Sequence, residues 1–137
     1  MLLEAELVIK IRVQCGKALE VKAGIDGYLR VIPIVGGTFE GKIKGHVISG
    51  GADWNTEKQD GISHVVAKYV IQTEDGEYIG VENVGIIHWD DQRKIKTVPK
   101  FSTCKEGKYA WLNSGVYVGA LEVLKEDLVE ITVYQMM

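Results

Sequence analysis

Long apolar runs, basic clusters and cysteine motifs are all missing from this chain, and each absence removes a class of function. No stretch approaches the roughly twenty consecutive apolar residues that a membrane-spanning helix needs, so no membrane partner is expected. Residues Met1 to Ile9 are apolar but broken by Glu4 and Glu6. They have neither the basic start nor the small-residue cleavage site of a signal peptide. Sixteen Lys and Arg against nineteen Asp and Glu leave a net charge of −3. Lys42, Lys44, Lys58 and Lys68 are dispersed and a short run at Arg93 to Lys96 reads as a charged loop, so nothing tracks a phosphate backbone and nucleic acid is not an expected partner. The two cysteines, Cys15 and Cys104, have no CxxC or metal-ligand spacing and read as reduced thiols, which points to the cytoplasm.

What is present is period two. From Leu3 to Val13 the odd positions are apolar, while Glu4, Glu6, Lys10, Arg12 and Gln14 occupy even ones. Successive side chains of a strand point to opposite faces, so this reads as one long strand with a buried and a wet side. The alternation recurs over Lys42 to Ser49 and Leu128 to Gln135. Two β-rich runs, Ile62 to Thr73 and Glu77 to Ile87, flank Glu74-Asp75-Gly76, whose glycine supplies the positive φ of a hairpin turn. Tyr109 to Ala120 reads as a strand covered on both faces, from which a homo-oligomer is expected, and Trp89 to Lys105 reads as a long mobile loop.

Sixteen glycines against two prolines punctuate these runs at short intervals, and no window shows a clean helical period. Short strands at such spacing imply an all-β sandwich or barrel rather than alternating βαβ units. A chain of 137 residues buries about two-thirds of its unfolded surface and has room for one core, so a single domain over 1–137 is expected, stable without disulfide or metal.

Five ordered motifs then carry a resemblance: Ile32-Pro33-Ile34-Val35-Gly36-Gly37-Thr38-Phe39-Glu40-Gly41, Gly50-Gly51-Ala52-Asp53-Trp54, Thr73-Glu74-Asp75-Gly76, Asn83-Val84-Gly85 and Tyr109-Ala110-Trp111-Leu112-Asn113. Over nearly its whole length the chain resembles the bacterial family called domain of unknown function 3237. The resemblance implies a single antiparallel β-barrel of about eight or more strands, of the broad type seen in allene oxide cyclase and dirigent proteins, with no settled activity. Where the family often has an Asp-x-Arg-Tyr and, in the next strand, an arginine between Asn and Gly, this chain holds Val66, Lys68 and Tyr69, and Val84. Loss of an acid and an arginine together suggests that a charge pair was exchanged as a unit. An insertion usual in the family is shortened here to Trp89 to Lys96, implying a reduced lid.

Chemistry-bearing residues are few. Two glycines before Asp53 and Trp54 let the backbone turn tightly and bring an acid and a large aromatic to one rim. Asp53 can act there as a general base and Trp54 as an apolar wall; equally, Asp53 caps a turn and Trp54 plugs the barrel end. Asn83 and Asn113 are strand amides that either satisfy one another and the backbone or face a cavity, with Tyr109 and Trp111 on the same face as Asn113. Glu82 matches the wetter side of its hairpin. His46, His64 and His88 lack HxH or HExxH spacing, so no metal is expected, and no GxSxG, Walker or dinucleotide motif implies a cofactor.

These residues support a barrel cavity lined by Trp54, Asn83, Tyr109, Trp111 and Asn113 that takes a small, partly apolar, oxygen-bearing molecule. If catalysis occurs, Asp53 moves a proton and Asn83 or Tyr109 stabilises an enolate-like oxygen, in an isomerisation, cyclisation or hydration without a cofactor. A non-catalytic binding module and a structural or assembly protein are the competing classes.

Overall fold

The computed structural model describes residues 1–137 except for the side chains of residues 92–94, so part of the expected Arg93 to Lys96 charged run lies outside the described residues. Among the described residues the chain forms β1 (Ala5–Cys15), β2 (Leu19–Gly24), β3 (Gly27–Gly41), β4 (Gly45–Gln59), β5 (Ile62–Thr73), β6 (Tyr78–His88), β7 (Lys96–Ser102), β8 (Tyr117–Lys125) and β9 (Leu128–Met136). Two 3-10 turns, Trp89–Lys94 and Ala110–Asn113, complete it.

All pairings are antiparallel in the order β1-β9-β8-β7-β6-β5-β4-β3, and β1 pairs with β3 to close an eight-stranded barrel. Closure satisfies the backbone groups that an open sheet would leave at its edges. Strand β2 stands outside the ring, paired to β3 alone and exposed at every residue.

The period-two reading of β1 holds over Ile9, Ile11 and Val13, which are buried. It fails before Ile9. A bulge between Leu7 and Ile9 admits Val8 to the core and turns Leu3 and Leu7 outward. The expected loop at Trp89 to Lys105 is also corrected, since it contains a short 3-10 turn and all of β7. That strand alternates buried Thr97, Pro99 and Phe101 with exposed Lys96, Val98 and Lys100. Its pairing to β8 stops at Thr97, before the proline that has no N–H to donate.

The barrel's two ends differ because its inward residues differ in size. One end is filled by Phe39, Ile71, Ile79 and Val133, and by Phe101 and Tyr117, whose rings meet edge to face at 5.1 Å. Leu112, 1% exposed, drops from the second 3-10 turn into this end as a plug. At the other end smaller inward residues such as Ala67 and Thr97 line a barrel of the same gauge, and the space they leave is a cavity. No helix among the described residues is long and apolar enough to cross a membrane.

Candidate active site

The cavity at the open end measures about 910 Å³. Its inner surface is two-sided. Strands β4 to β7 contribute the polar Asp53, Asn55, Tyr69, Asn83 and Thr97 among apolar Val65, Ala67 and Ile87, whereas β1, β3, β8 and β9 contribute Val13, Ile34, Leu121, Val129 and Ile131 with the Cys15 thiol. The polar set is ordered by register. Asp53 pairs with Ala67 and Ala67 with Asn83; Asn55 pairs with Val65, Val65 with Gly85, and Gly85 with Thr97. Asp53 and Asn83 therefore share one row across the strands and Asn55 and Thr97 the next, one two-residue repeat of about 7 Å away, while Tyr69 lies one repeat beyond Ala67 on the other side.

A double-glycine bulge places these rows. Between Ile48 and Ala52 strand β4 slips against β5. A Cβ at Gly51 would sit 2.5 Å from the Lys68 carbonyl oxygen and 2.5 Å from Tyr69 Cβ, so only glycine lets the backbone pass Tyr69 there.

Each of the five polar side chains carries a buried oxygen with no hydrogen-bond partner in the protein: Asp53 Oδ1, Asn55 Oδ1, Tyr69 Oη, Asn83 Oδ1 and Thr97 Oγ1. Buried polar groups are nearly always paired, and an unpaired one costs roughly 1–3 kcal/mol. Five at one wall of one cavity set that wall apart from a packed core, and each can pair with water or with a ligand that enters the cavity.

Burial pushes the Asp53 carboxyl up to about 6. The Tyr69 phenol is raised as well, by burial first, then by Asp53 and Cys15, so it is a neutral donor at physiological pH. Cys15, also on the lining, is raised by burial and by the acids Asp53 and Asp127, which keeps it a thiol. At the mouth Trp89 Nε1 donates a 2.7 Å hydrogen bond to Oγ of the buried Ser63, fixing the first 3-10 turn over the end of the barrel. Lys17, Glu20, Glu126 and Asp127 complete the rim.

Of the residues expected to share a cavity, the structure brings together Asp53 and Asn83 and leaves the others elsewhere. Asp53 and Trp54 are consecutive on a continuous strand, not on a rim turn, and so face opposite sides of the wall. Trp54 is 53% exposed outside. Tyr109, Trp111 and Asn113 are not on a strand, because residues 110–113 form the 3-10 turn that plugs the far end. There Tyr109 donates to Asp75 at 2.8 Å, Trp111 is exposed, and the Asn113 amide brackets the backbone N–H and carbonyl of Thr103 at 2.8 and 3.0 Å. Asp75, which Lys108, Thr73 and Tyr109 hold well below the usual carboxylate range, locks this plug to the β5–β6 turn. Asn55, Tyr69 and Thr97 were not among the expected lining residues, although strand parity points to the first two: Asn55 follows Asp53 by two, and Tyr69 follows Ala67 by two.

The positions 66 and 84, where the resemblance suggested a charge pair exchanged as a unit, are cross-strand partners on the outer wall. Here they form a Val66–Val84 pair, outside the cavity.

With fold and site in view, the comparisons are decisive on kinship. The sequence profile of the family described as proteins of unknown function, DUF3237, matches residues 3–136. The chain belongs to that family. A UPF0311 protein of Bradyrhizobium diazoefficiens is 33% identical over 98% of this chain and 97% of its own length. The crystal structure of a conserved protein of unknown function from Rhodopseudomonas palustris superposes with a TM-score of 0.90 at 31% identity, covering 100% of this chain and 99% of that one. An enzyme from Penicillium herquei has the same barrel at a TM-score of 0.78 and 26% identity, over 100% of this chain and 96% of that one.

Proposed function

We propose that this family member binds a small, partly apolar, oxygen-bearing molecule in the open end of the barrel and moves a proton on it with Asp53, as a cofactor-independent isomerase, cyclase or hydratase. The observation that carries this reading is the convergence on one cavity of five polar side chains that the protein itself leaves unpaired, one of them a carboxyl held at about 6. A general base works best when its pKa lies near the operating pH, and burial has moved Asp53 toward that range.

In the bound state the Asp53 carboxylate takes a proton from a carbon or hydroxyl of the ligand. The electron pair left behind moves onto a conjugated oxygen, where neutral Tyr69 and the amides of Asn55 and Asn83 donate hydrogen bonds. Protonated Asp53 then returns the proton at a second atom, so the sequence needs no redox partner. The likeness to a barrel described as an enzyme supports a catalytic rather than purely structural role.

A thermal-shift screen of neutral oxygenated metabolites, followed by turnover assays on the hits, tests the reading. Turnover is expected to rise with pH through about 6, following ionisation of Asp53. Asp53→Asn is expected to retain binding and to lose at least about a hundredfold in turnover. Unchanged turnover in that variant overturns Asp53 as the base.

A further inference from the structure

The two walls of the cavity restrict what it accepts more sharply than volume does. On the polar wall, Asn55 and Asn83 present amides that offer a donor or an acceptor by rotation about χ2. Tyr69 and Thr97 present hydroxyls, and Asp53 accepts when ionised. A hydroxyl, which both donates and accepts, is the smallest uncharged group that answers all of these. The facing wall of Val13, Ile34, Leu121, Val129 and Ile131 offers hydrocarbon, with the Cys15 thiol as its one weakly polar group.

Charge narrows the class further. Among the described residues the polar wall holds no lysine or arginine, and the cavity's single cation is the exposed Lys17 at the mouth, beside Glu20, Glu126 and Asp127. A ligand carboxylate or phosphate on that wall would lie next to Asp53 with no cation to compensate it, and an unpaired buried charge is far costlier than an unpaired hydroxyl.

Resting on the cavity reading above, we infer that the ligand is an uncharged molecule hydroxylated along one edge and hydrocarbon along the other. Its hydroxyls are spaced to bridge neighbouring polar rows, and carboxylic acids and phosphate esters are excluded. The two-residue repeat from Asp53 to Asn55 sets that spacing at about 7 Å along the strand. Ala67, between Asp53 and Asn83, leaves room for the ring or chain that carries the hydroxyls.

Isomeric probes test this without knowledge of the natural ligand. In 2,7-naphthalenediol both hydroxyls lie on one edge; in 2,6-naphthalenediol they lie on opposite edges; 2-naphthoate supplies the anion. Calorimetric titration of the full chain at pH 7.5 is expected to show the 2,7 isomer binding at least about fivefold more tightly than the 2,6 isomer, the worth of one net hydrogen bond. It is expected to bind more than about tenfold more tightly than 2-naphthoate. In Asn55→Ala/Asn83→Ala, which deletes two unpaired amides and so removes no protein hydrogen bond, the preference between isomers is expected to collapse. Equal binding of the two diols, or binding of 2-naphthoate that matches the 2,7 isomer, overturns the inference. Absence of binding by either diol overturns the cavity reading and the inference together. Discrimination between the diols alongside unchanged turnover in Asp53→Asn supports the inference and removes only the proposed base.

Discussion

Asp53 and Asn83 pair in register with the same residue, Ala67, from its two sides. The carboxyl and the amide are therefore held two strand spacings apart, about 9–10 Å along the wall, with only a methyl group between them. The gap is where a ligand would lie across β5. Ala67→Leu should fill it with a side chain that meets open space rather than a packed core, so unfolding free energy should stay within about 1 kcal/mol of the parent. Affinity for 2,7-naphthalenediol should fall by at least about tenfold. Urea unfolding and calorimetry on the same preparation separate the two effects; a variant that unfolds early but binds normally contradicts the placement.

Period two and Gly76 located the β5–β6 hairpin to within a residue, because a strand with one buried face writes its parity directly into the chain. That parity also assigns Asp53 inward and Trp54 outward, whereas the Gly50-Gly51-Ala52-Asp53-Trp54 motif, taken as a turn, points both at one rim. Tyr109 to Asn113 misled for a different reason. Aromatic and small residues alternate there as in a strand, but Leu112 is needed as a plug, and that demand comes from the far side of the barrel. The unpaired state of Asn55 and Thr97 was not legible, since it depends on which side chains the closed ring brings opposite them.

The buried carboxyl makes stability depend on pH in a defined direction. Asp53 titrates near 6 in the fold against an ordinary value of 3.8, so the folded state binds its proton more tightly than the unfolded state does. The associated stability is fully present below pH 4 and is lost as pH rises through about 6. Asp53→Asn carries no such charge. Relative to the parent it should be more stable by about 2 kcal/mol at pH 8, and the difference should vanish at pH 4. Urea denaturation of both proteins at the two pH values measures this; a constant difference would place Asp53 in a solvated or paired environment.

Tyr69 separates a structural from a catalytic role. Its side chain is 5% exposed and its hydroxyl has no partner in the protein, so Tyr69→Phe removes a group that contributes no internal hydrogen bond. Unfolding free energy should be unchanged or higher by about 1 kcal/mol. With a substrate identified by screening, kcat/KM should fall about ten- to hundredfold as the donor to the developing oxyanion is lost. A loss of stability with no loss of turnover would make Tyr69 part of the core alone.

The two glycines of the β4 bulge should differ in a way that only the site geometry explains. Gly50 has a φ of +121° but nothing within 4 Å of a Cβ built on it, so Gly50→Ala meets conformational strain alone and should cost about 1–2 kcal/mol. Gly51→Ala places its methyl 2.5 Å from the Lys68 carbonyl oxygen, 2.5 Å from Tyr69 Cβ and 2.8 Å from Tyr69 Cα. These are backbone and near-backbone atoms that cannot swing aside. The strands must therefore separate, at a cost of about 2–4 kcal/mol, and Tyr69 must shift with them. Gly51→Ala should then lose affinity for 2,7-naphthalenediol at temperatures where it is still folded, whereas Gly50→Ala should keep it. Paired unfolding and binding curves for the two variants check both halves, and parallel losses in both would show that the bulge serves strand pairing without positioning the cavity wall.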